Sequence, residues 1–315
     1  MIKLTTPTRP TRLDELLDAR FVARLSALDL TSRKVLAGKM KGERRSKRRG
    51  ESVEFADHRQ YVVGDDLRHI DWNIFGRLDR LFLKLFLEEE DLALHIVIDA
   101  SASSDCGEPS KFLLMQRLCV ALGYIGLVNL HRVSVTAIAG LALGPDGQPT
   151  PQLMSSVRDL RGGRRLADLG RFMLQLTPGG PASFTEACKR IAIARRGKGV
   201  MLVMSDFFHK EGYETGLRLL VGRGFDVYAL QVLSPQELEP DIAGDLRLKD
   251  CEDADLTDLT ITAPLLKKYK QTLAAYCSRL RDFCAAREII MQTIPSSVQP
   301  DVVVLDYLRR KGLVQ

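Results

Sequence analysis

The chain has 315 residues, of which 45% are hydrophobic and 27% are charged, and this balance excludes a disordered or fibrous protein. The net charge is +6, but residues 33–49 carry nine basic side chains against Glu43 alone, so the rest of the chain sums to −2. The positive charge is therefore concentrated in one local segment, and the chain as a whole is not polycationic.

The N-terminal 20 residues are polar and contain no apolar core segment, so we expect no signal peptide. The longest apolar run, Leu118–Leu130, spans 13 residues and is shorter than the ~20 that cross a bilayer. We therefore expect a cytoplasmic protein without a transmembrane segment. The six cysteines form no CxxC pair, and we expect them to be reduced and buried.

The first 90 residues predict a small N-terminal region. Leucines at three- and four-residue spacing predict a helix over residues 12–41, which runs into the basic segment. Short strands are predicted at Val53–Phe55, Gln60–Val63 and Leu81–Leu87, around a Gly-Asp-Asp turn. Residues 1–90 are thus expected to form a unit of helix, basic segment and small β region.

From residue 91 onward the pattern alternates between strands and helices. Strands are predicted at Leu94–Ile98, Val133–Ala139, Gly199–Met204, Asp226–Val232 and Glu288–Thr293, with a short β insertion at 245–262. Helices are predicted at Lys111–Leu130, Leu153–Leu160, Leu166–Leu176, Thr185–Arg195, Glu214–Gly222, Leu265–Arg287 and Val303–Lys311. This order predicts an α/β domain over residues 91–315, with a mainly parallel, doubly wound sheet.

Polar side chains follow two of the predicted strands and begin one predicted helix. Asp99, Ser101 and Ser103 follow the first strand, Thr185 opens a helix, and Asp206 follows the strand Gly199–Met204. Ligands of open parallel sheets bind beyond the carboxyl ends of the strands. Two carboxylates and three hydroxyls are hard oxygen donors that suit Mg²⁺ or Mn²⁺, so the sequence predicts a magnesium site there.

A purely structural role is the competing interpretation. Asp99, Ser101 and Ser103 could cap the next helix, and Ser183 could cap the helix that contains Thr185. Capping does not account for Asp206, which lies far along the chain from that turn.

The ordered set Asp99-x-Ser101-x-Ser103, Thr185 and Asp206 resembles the metal-ion-dependent adhesion site of von Willebrand factor A domains. The resemblance implies a von Willebrand A or Rossmann-like sheet whose loops surround Mg²⁺. It also implies an open coordination position that a partner's carboxylate completes.

A second motif covers more of the chain. Arg59-x-Tyr61-x-x-Gly64-Asp65-Asp66-x-Arg68-x-Ile70-Asp71-Trp72, together with Ser234-Pro235-x-Glu237, resembles the bacterial family called domain of unknown function 58. That resemblance implies a companion of MoxR-type AAA+ ATPases. We therefore expect a non-enzymatic, Mg²⁺-dependent protein-binding module.

Two alternatives remain open at the sequence level. A metal-dependent phosphoryl-transfer or hydrolytic enzyme would use the same cation, although the chain has Ser101 where an aspartyl phosphotransferase has a second Asp. Nucleic-acid binding through residues 33–49 is the other alternative, but that segment lacks aromatic residues for base stacking. We expect four arginines of this segment to contact a partner instead: Arg44, Arg45, Arg48 and Arg49.

Overall fold

The computed structural model describes residues 9–32, 54–63, 65, 67–87, 92–143, 148–180, 182–194, 199–251 and 256–315. The chain forms two compact units, one made of residues 38–91 and the other of residues 1–37 together with 92–315. We call these the small unit and the sheet unit.

The described part of the chain contains the following elements. The helices are α1 Leu13–Leu16, α2 Ala19–Leu25, α3 Trp72–Leu78, α4 Lys111–Val128, α5 Leu166–Gln175, α6 Phe184–Ala194, α7 Glu214–Val221, α8 Pro235–Leu238, α9 Ala263–Ala285 and α10 Pro300–Val302. The strands are β1 Glu54–Gln60, β2 Phe82–Leu87, β3 Ala93–Asp99, β4 Arg132–Ile138, β5 Leu141–Leu143, β6 Pro149–Pro151, β7 Met154–Leu160, β8 Gly199–Ser205, β9 Asp226–Leu233, β10 Gly244–Lys249, β11 Leu256–Ile261 and β12 Ile290–Pro295. Short 3₁₀ turns lie at Leu67–His69, Ala102–Asp105 and Gly163–Arg165, and a π-helical segment at Val303–Leu308 follows α10.

The sheet unit is built on six strands in the order β12-β9-β8-β3-β4-β7. Every neighbouring pair is parallel except β4 with β7. Strands β8 and β9 are buried along their whole length, as expected of strands covered by helices on both faces. The predicted mixed α/β class with a mainly parallel central sheet is confirmed.

The predicted helix at Leu153–Leu160 is wrong, because this segment is strand β7. Met154, Val157 and Leu160 recur every three residues, which imitates a helical face. In the structure β7 pairs antiparallel with β4, and the register shifts between Val133 and Val135. A bulge of this kind changes which residues face inward, so the two-residue period of a strand is lost.

The N-terminal helices belong to the sheet unit, which differs from the predicted grouping of residues 1–90. Leu16 and Leu25 are buried in the same apolar core as α4. Leu30 pairs with Val314 near the other end of the chain. The predicted helix over 12–41 is broken at Leu17, which has an extended backbone, so the leucines approach the core from two short helices.

In the small unit, the described polar residues of the Arg59–Trp72 motif make hydrogen bonds that shape a turn and cap a helix. Strands β1 and β2 pair antiparallel, and Asp71 caps α3 by accepting hydrogen bonds from the amides of Asn73 and Ile74. Arg59 donates to Asp65 over 2.9 Å, and Asp65 also accepts from the Val62 amide, so this pair shapes the turn. Gly64 and Asp66 lie outside the described residues.

Within the described ranges, α4 is the helix long and apolar enough to cross a bilayer by length and composition. The structure buries 78% of it inside the protein, as is typical of a core helix.

Candidate site at the carboxyl edge of the sheet

The candidate site lies where β3 and β8 end side by side. Asp99 is the last residue of β3, and Asp206 directly follows β8. Strand β3 comes first in the chain among the six strands and lies inside the sheet. The chain continues from β3 to β4 on one side of it and later returns to β8 on the other side. Such a divergence opens a crevice beyond the strand ends, which is where ligands of open α/β sheets bind.

The loop after β3 gathers a carboxylate and three hydroxyls. The Ser101 amide donates to Asp99 Oδ1 over 2.9 Å, which turns the chain back toward the strand end. The Ser101 hydroxyl lies 2.9 Å from that of Ser103 and 3.3 Å from that of Ser104. Asp99 and Ser101 are buried and Ser103 is half-buried, so most of the cluster lies inside the protein.

The end of β8 and the loop after it reach the same carboxylate. Ser205 donates its hydroxyl proton to Asp99 Oδ2 over 2.6 Å and accepts a hydrogen bond from the Phe207 amide. His209 Nε2 lies 3.3 Å from Ser205 Oγ and 3.7 Å from Asp99 Oδ2. The structure therefore brings the Asp99 loop and the Asp206 loop into direct contact.

Thr185 is the second residue of α6, and its amide donates to the Glu211 carboxylate over 2.8 Å. Its neighbour Phe184 stacks on the His209 ring with the ring centroids 4.6 Å apart. The start of α6 thus contacts the loop after β8, and through His209 it approaches Asp99.

Asp206 forms a buried ion pair. Lys111 Nζ lies 2.8 Å from Asp206 Oδ2 and 2.6 Å from Glu237 Oε1, and the side chain of Lys111 is only 1% exposed. Burial alone would lower the pKa of Lys111, but the two carboxylates raise it above its ordinary value. Burial would likewise raise the pKa of Asp206, yet the ammonium holds it below the ordinary range. Both groups are therefore charged at neutral pH.

Glu237 is brought to Lys111 by local sequence. Ser234 and Glu237 form a capping box around α8, in which Ser234 Oγ accepts from the Glu237 amide and Glu237 Oε2 accepts from the Ser234 amide. The loop that leads to Lys111 packs closely on this cap. A Cβ added at Gly107 would lie 2.3 Å from the Cβ of Ser234, and Gly107 has a φ of +93°, so only glycine fits.

The carboxylate and hydroxyl oxygens of the site are chemically suited to bind a hard divalent cation. Asp206 and Glu237 share the ammonium of Lys111, whereas Asp99 accepts a hydrogen bond from the Ser205 hydroxyl and lies 3.7 Å from His209 Nε2. Each carboxylate oxygen can accept two hydrogen bonds or ligand contacts, so Asp206 keeps lone pairs beyond those that Lys111 and the Phe208 amide use. No group of three or more His, Cys, Asp or Glu arranged to hold a metal is found among the described residues, so hydroxyls would have to supply part of any coordination shell.

Lys111, Ser205 and Glu237 are the functional candidates that the sequence prediction missed. Lys111 opens a helix that is apolar except for Gln116, Arg117 and Tyr124, and a lysine buried with such a helix needs a charged partner. The Ser-Pro-x-Glu pattern is a recognisable capping box, but its contact with Lys111 spans 126 residues of sequence and cannot be read from spacing. Arg44, Arg45, Arg48 and Arg49 lie outside the described residues.

The prediction that all cysteines are buried is wrong. Cys119, Cys188 and Cys284 are buried, Cys106 and Cys277 are half-buried, and Cys251 is exposed. Cys106 lies three residues beyond Ser103 at the margin of the candidate site.

Comparisons with known proteins agree with the sequence motifs. The model of the family described as "Protein of unknown function DUF58" matches residues 57–277. The uncharacterized protein Rv1480 of Mycobacterium tuberculosis strain H37Rv is 25% identical over 265 residues, covering 82% of this chain and 80% of that protein. The uncharacterized protein MAV169 of Mycobacterium avium is 30% identical over 121 residues, which are 37% of this chain and 70% of that one.

Solved structures were matched at lower similarity. The conserved hypothetical protein BatB from Bacteroides thetaiotaomicron matches 70% of this chain and 98% of its own at 12% identity, with a TM-score of 0.39. The pilus adhesin SpaC from Lactobacillus rhamnosus GG matches 72% of this chain and 31% of its own at 9% identity, with a TM-score of 0.43. Since the family model spans more than half of the sequence, the chain belongs to the DUF58 family.

Proposed function

We propose that the sheet unit is a von Willebrand factor A-like module that binds one Mg²⁺ or Mn²⁺ at the carboxyl edge of the sheet. The bound ion would accept a carboxylate from a protein partner, and the module would act by binding and not by catalysis. The observation that carries this proposal is the meeting of the loops after β3 and β8 around buried Asp99 and Asp206.

The charge of the site supports a cation. Burying a carboxylate without a counter-charge is strongly unfavourable, and the ammonium of Lys111 is shared between Asp206 and Glu237. A divalent ion would add positive charge beside Asp99 and Asp206. The ion would also be coordinated by the hydroxyls of Ser101 and Ser103, which lie 2.9 Å from each other.

Each residue then has a distinct task. Asp99 is the direct carboxylate ligand, oriented by the Ser101 amide and the Ser205 hydroxyl. Asp206 would share its charge between the cation and Lys111, and the hydroxyl of Thr185 at the start of α6 would be a further ligand. When bound, the ion supplies a Lewis-acidic position that a carboxylate from outside can fill.

Calorimetry with Mg²⁺ and Mn²⁺ tests the metal site. The wild-type protein should bind one ion, and Asp99→Asn should lose binding while keeping its melting temperature within a few degrees. Asp29→Ala is the matched control, because Asp29 is paired with His131 at the opposite edge of the sheet. Unchanged affinity in Asp99→Asn, or equal loss in Asp29→Ala, would contradict the proposal.

We further propose that the partner is a MoxR-type AAA+ ATPase in the bacterial cytoplasm, which the resemblance of the Arg59–Trp72 and Ser234–Glu237 motifs implies. A pull-down with the purified ATPase should weaken on addition of EDTA and recover with excess Mg²⁺. It should also weaken for Asp99→Asn. A complex that withstands EDTA would mean that the metal does not bridge the two proteins.

A further inference from the structure

The loop that carries Asp206 contains a residue with a strained backbone. Phe207 has a φ of +62°, a left-handed conformation that is unfavourable for a bulky side chain. Directly after this turn, the Phe208 amide donates to Asp206 Oδ1 over 3.0 Å. Lys111 holds the other carboxylate oxygen of Asp206, so the turn at Phe207 and the ammonium together fix the direction of this carboxylate.

Three side chains bind the backbone of this turn. Ser205 Oγ accepts from the Phe207 amide over 2.9 Å, and Gln231 Nε2 donates to the Asp206 carbonyl oxygen over 3.2 Å. The Tyr276 hydroxyl donates to the Phe207 carbonyl oxygen. Ser205 and Gln231 belong to strands β8 and β9, whereas Tyr276 belongs to helix α9. The strained turn is therefore held from the sheet and from a helix outside it.

Helix α9 packs lightly on the sheet unit along most of its length. Its buried side chains are Leu280 and Cys284, and no residue from 263 to 279 is buried. Tyr276 is half-buried, and its ring lies 5.3 Å from that of Phe208, measured between centroids. Tyr276 thus connects α9 to the Asp206 loop through its ring as well as its hydroxyl.

We propose that Tyr276 is a positioning residue for the candidate site, because its hydroxyl holds the left-handed turn at Phe207 and so fixes the carboxylate of Asp206. Tyr276 acts through the Phe207 carbonyl oxygen and not as a metal ligand. Without the hydroxyl, this carbonyl loses a hydrogen bond, and the turn loses support against the preference of Phe207 for a negative φ. The effect on a cation rests on the proposed function, whereas the effect on the turn needs no ion.

Hydrogen exchange of the metal-free protein, measured at single amides by NMR, tests the effect on the turn. Tyr276→Phe keeps the ring and loses only the hydroxyl. In this variant the amides of Phe207 and Phe208 should exchange about fivefold faster than in the wild type, which is the factor that one ordinary hydrogen bond contributes.

Two other tyrosines supply matched controls. Tyr269→Phe removes a 2.9 Å hydrogen bond from the same helix to the Glu237 carbonyl oxygen, and Tyr228→Phe removes a 3.3 Å bond to the Gly312 carbonyl oxygen. Neither variant should speed exchange in the turn. Unchanged exchange in Tyr276→Phe, or an equal rise in either control, would overturn the role of Tyr276.

Calorimetry with Mn²⁺ measures the consequence for the site. Tyr276→Phe should raise the Kd about fivefold while its melting temperature stays within a few degrees of the wild type, and Tyr228→Phe should keep the wild-type Kd. If the wild type binds no Mn²⁺, the proposed function fails, and the exchange result alone decides whether Tyr276 holds the turn. Faster exchange with an unchanged Kd in Tyr276→Phe would overturn the positioning role at the metal site and leave the proposed function standing.

Discussion

At the scale of single residues, the buried ammonium of Lys111 is the feature that most changes the interpretation of the site. The sequence identified the acids and hydroxyls at the strand ends because their spacing follows the strands. It could not identify Lys111 as their partner, because that contact depends on how α4 lies beside β8. Side chains that meet across 95 residues of sequence are fixed by tertiary packing and not by local pattern.

Replacing Lys111 with methionine should destabilise the protein by about 3–5 kcal/mol at pH 7, because Asp206 and Glu237 lose their counter-charge inside the protein. Asp206 has a depressed pKa in the native protein, so its stabilising effect is present above the unfolded value of ~3.9 and is lost as the pH falls below it. The gap between wild type and Lys111→Met in urea unfolding should therefore shrink below about pH 4.

Magnesium adds a second readout to the same variant. If the cluster holds a cation, millimolar Mg²⁺ should raise the melting temperature of Lys111→Met more than that of the wild type, since the site is one charge more negative. Equal shifts in the two proteins would speak against a cation site beside Asp206.

The reactivity of Cys106 should depend on pH in a defined way. A thiolate is the nucleophile, and the pKa of Cys106 is lowered to about 7, so its alkylation by iodoacetamide should rise with a midpoint near pH 7. In Cys251→Ala the midpoint should move upward, because the largest cause of the shift is the Cys251 hydrogen bond, which alanine cannot make. Cys277, whose pKa is raised, should react appreciably only at higher pH and serves as the internal comparison.

At the scale of elements, the short helix α8 links local sequence to the site. Its capping box orients Glu237, and Glu237 in turn holds Lys111. The Ser-Pro-x-Glu pattern predicts the cap from sequence alone, whereas the strand character of β7 could not be predicted because its apolar residues recur every three positions.

Ser234→Ala should cost about 1 kcal/mol of stability through the lost cap and should also alter Mg²⁺ affinity, since Glu237 Oε2 loses the Ser234 hydroxyl and keeps only the amide of that residue. Thr262→Ala is the control, because Thr262 caps α9 through the Leu265 amide and has no contact with Lys111. Chemical denaturation and calorimetry should show a stability loss in both variants and a changed affinity in Ser234→Ala alone. If the Mg²⁺ affinity changed in both variants, the loss of overall stability, and not the loss of the Ser234 cap, would explain the change.

At the scale of the whole molecule, the alternation of strands and helices was enough to predict the parallel sheet. The grouping of the N-terminal helices was not predictable, because leucines at helical spacing show that a segment is amphipathic but not which core receives it. In the structure they join the core of the sheet unit.

Leu25→Ala should therefore destabilise the sheet unit by about 2–5 kcal/mol, as buried leucine truncations do. Leu256→Ala, at a leucine that is 62% exposed on β11, should change stability by less than about 0.5 kcal/mol. Urea unfolding followed by circular dichroism would measure both, and a negligible effect of Leu25→Ala would show that α2 is only loosely attached.

The points where the chain leaves and re-enters the sheet unit have an engineering consequence. Ser32 is hydrogen-bonded to Asp226 at the first residue of β9, and Leu92 directly precedes β3. Those strands are two positions apart in the sheet, about 10 Å at ordinary strand spacing, and their starts lie opposite the carboxyl edge. A foreign domain or a short glycine-serine bridge in place of residues 33–91 would therefore join two points at the edge of the sheet opposite Asp99 and Asp206.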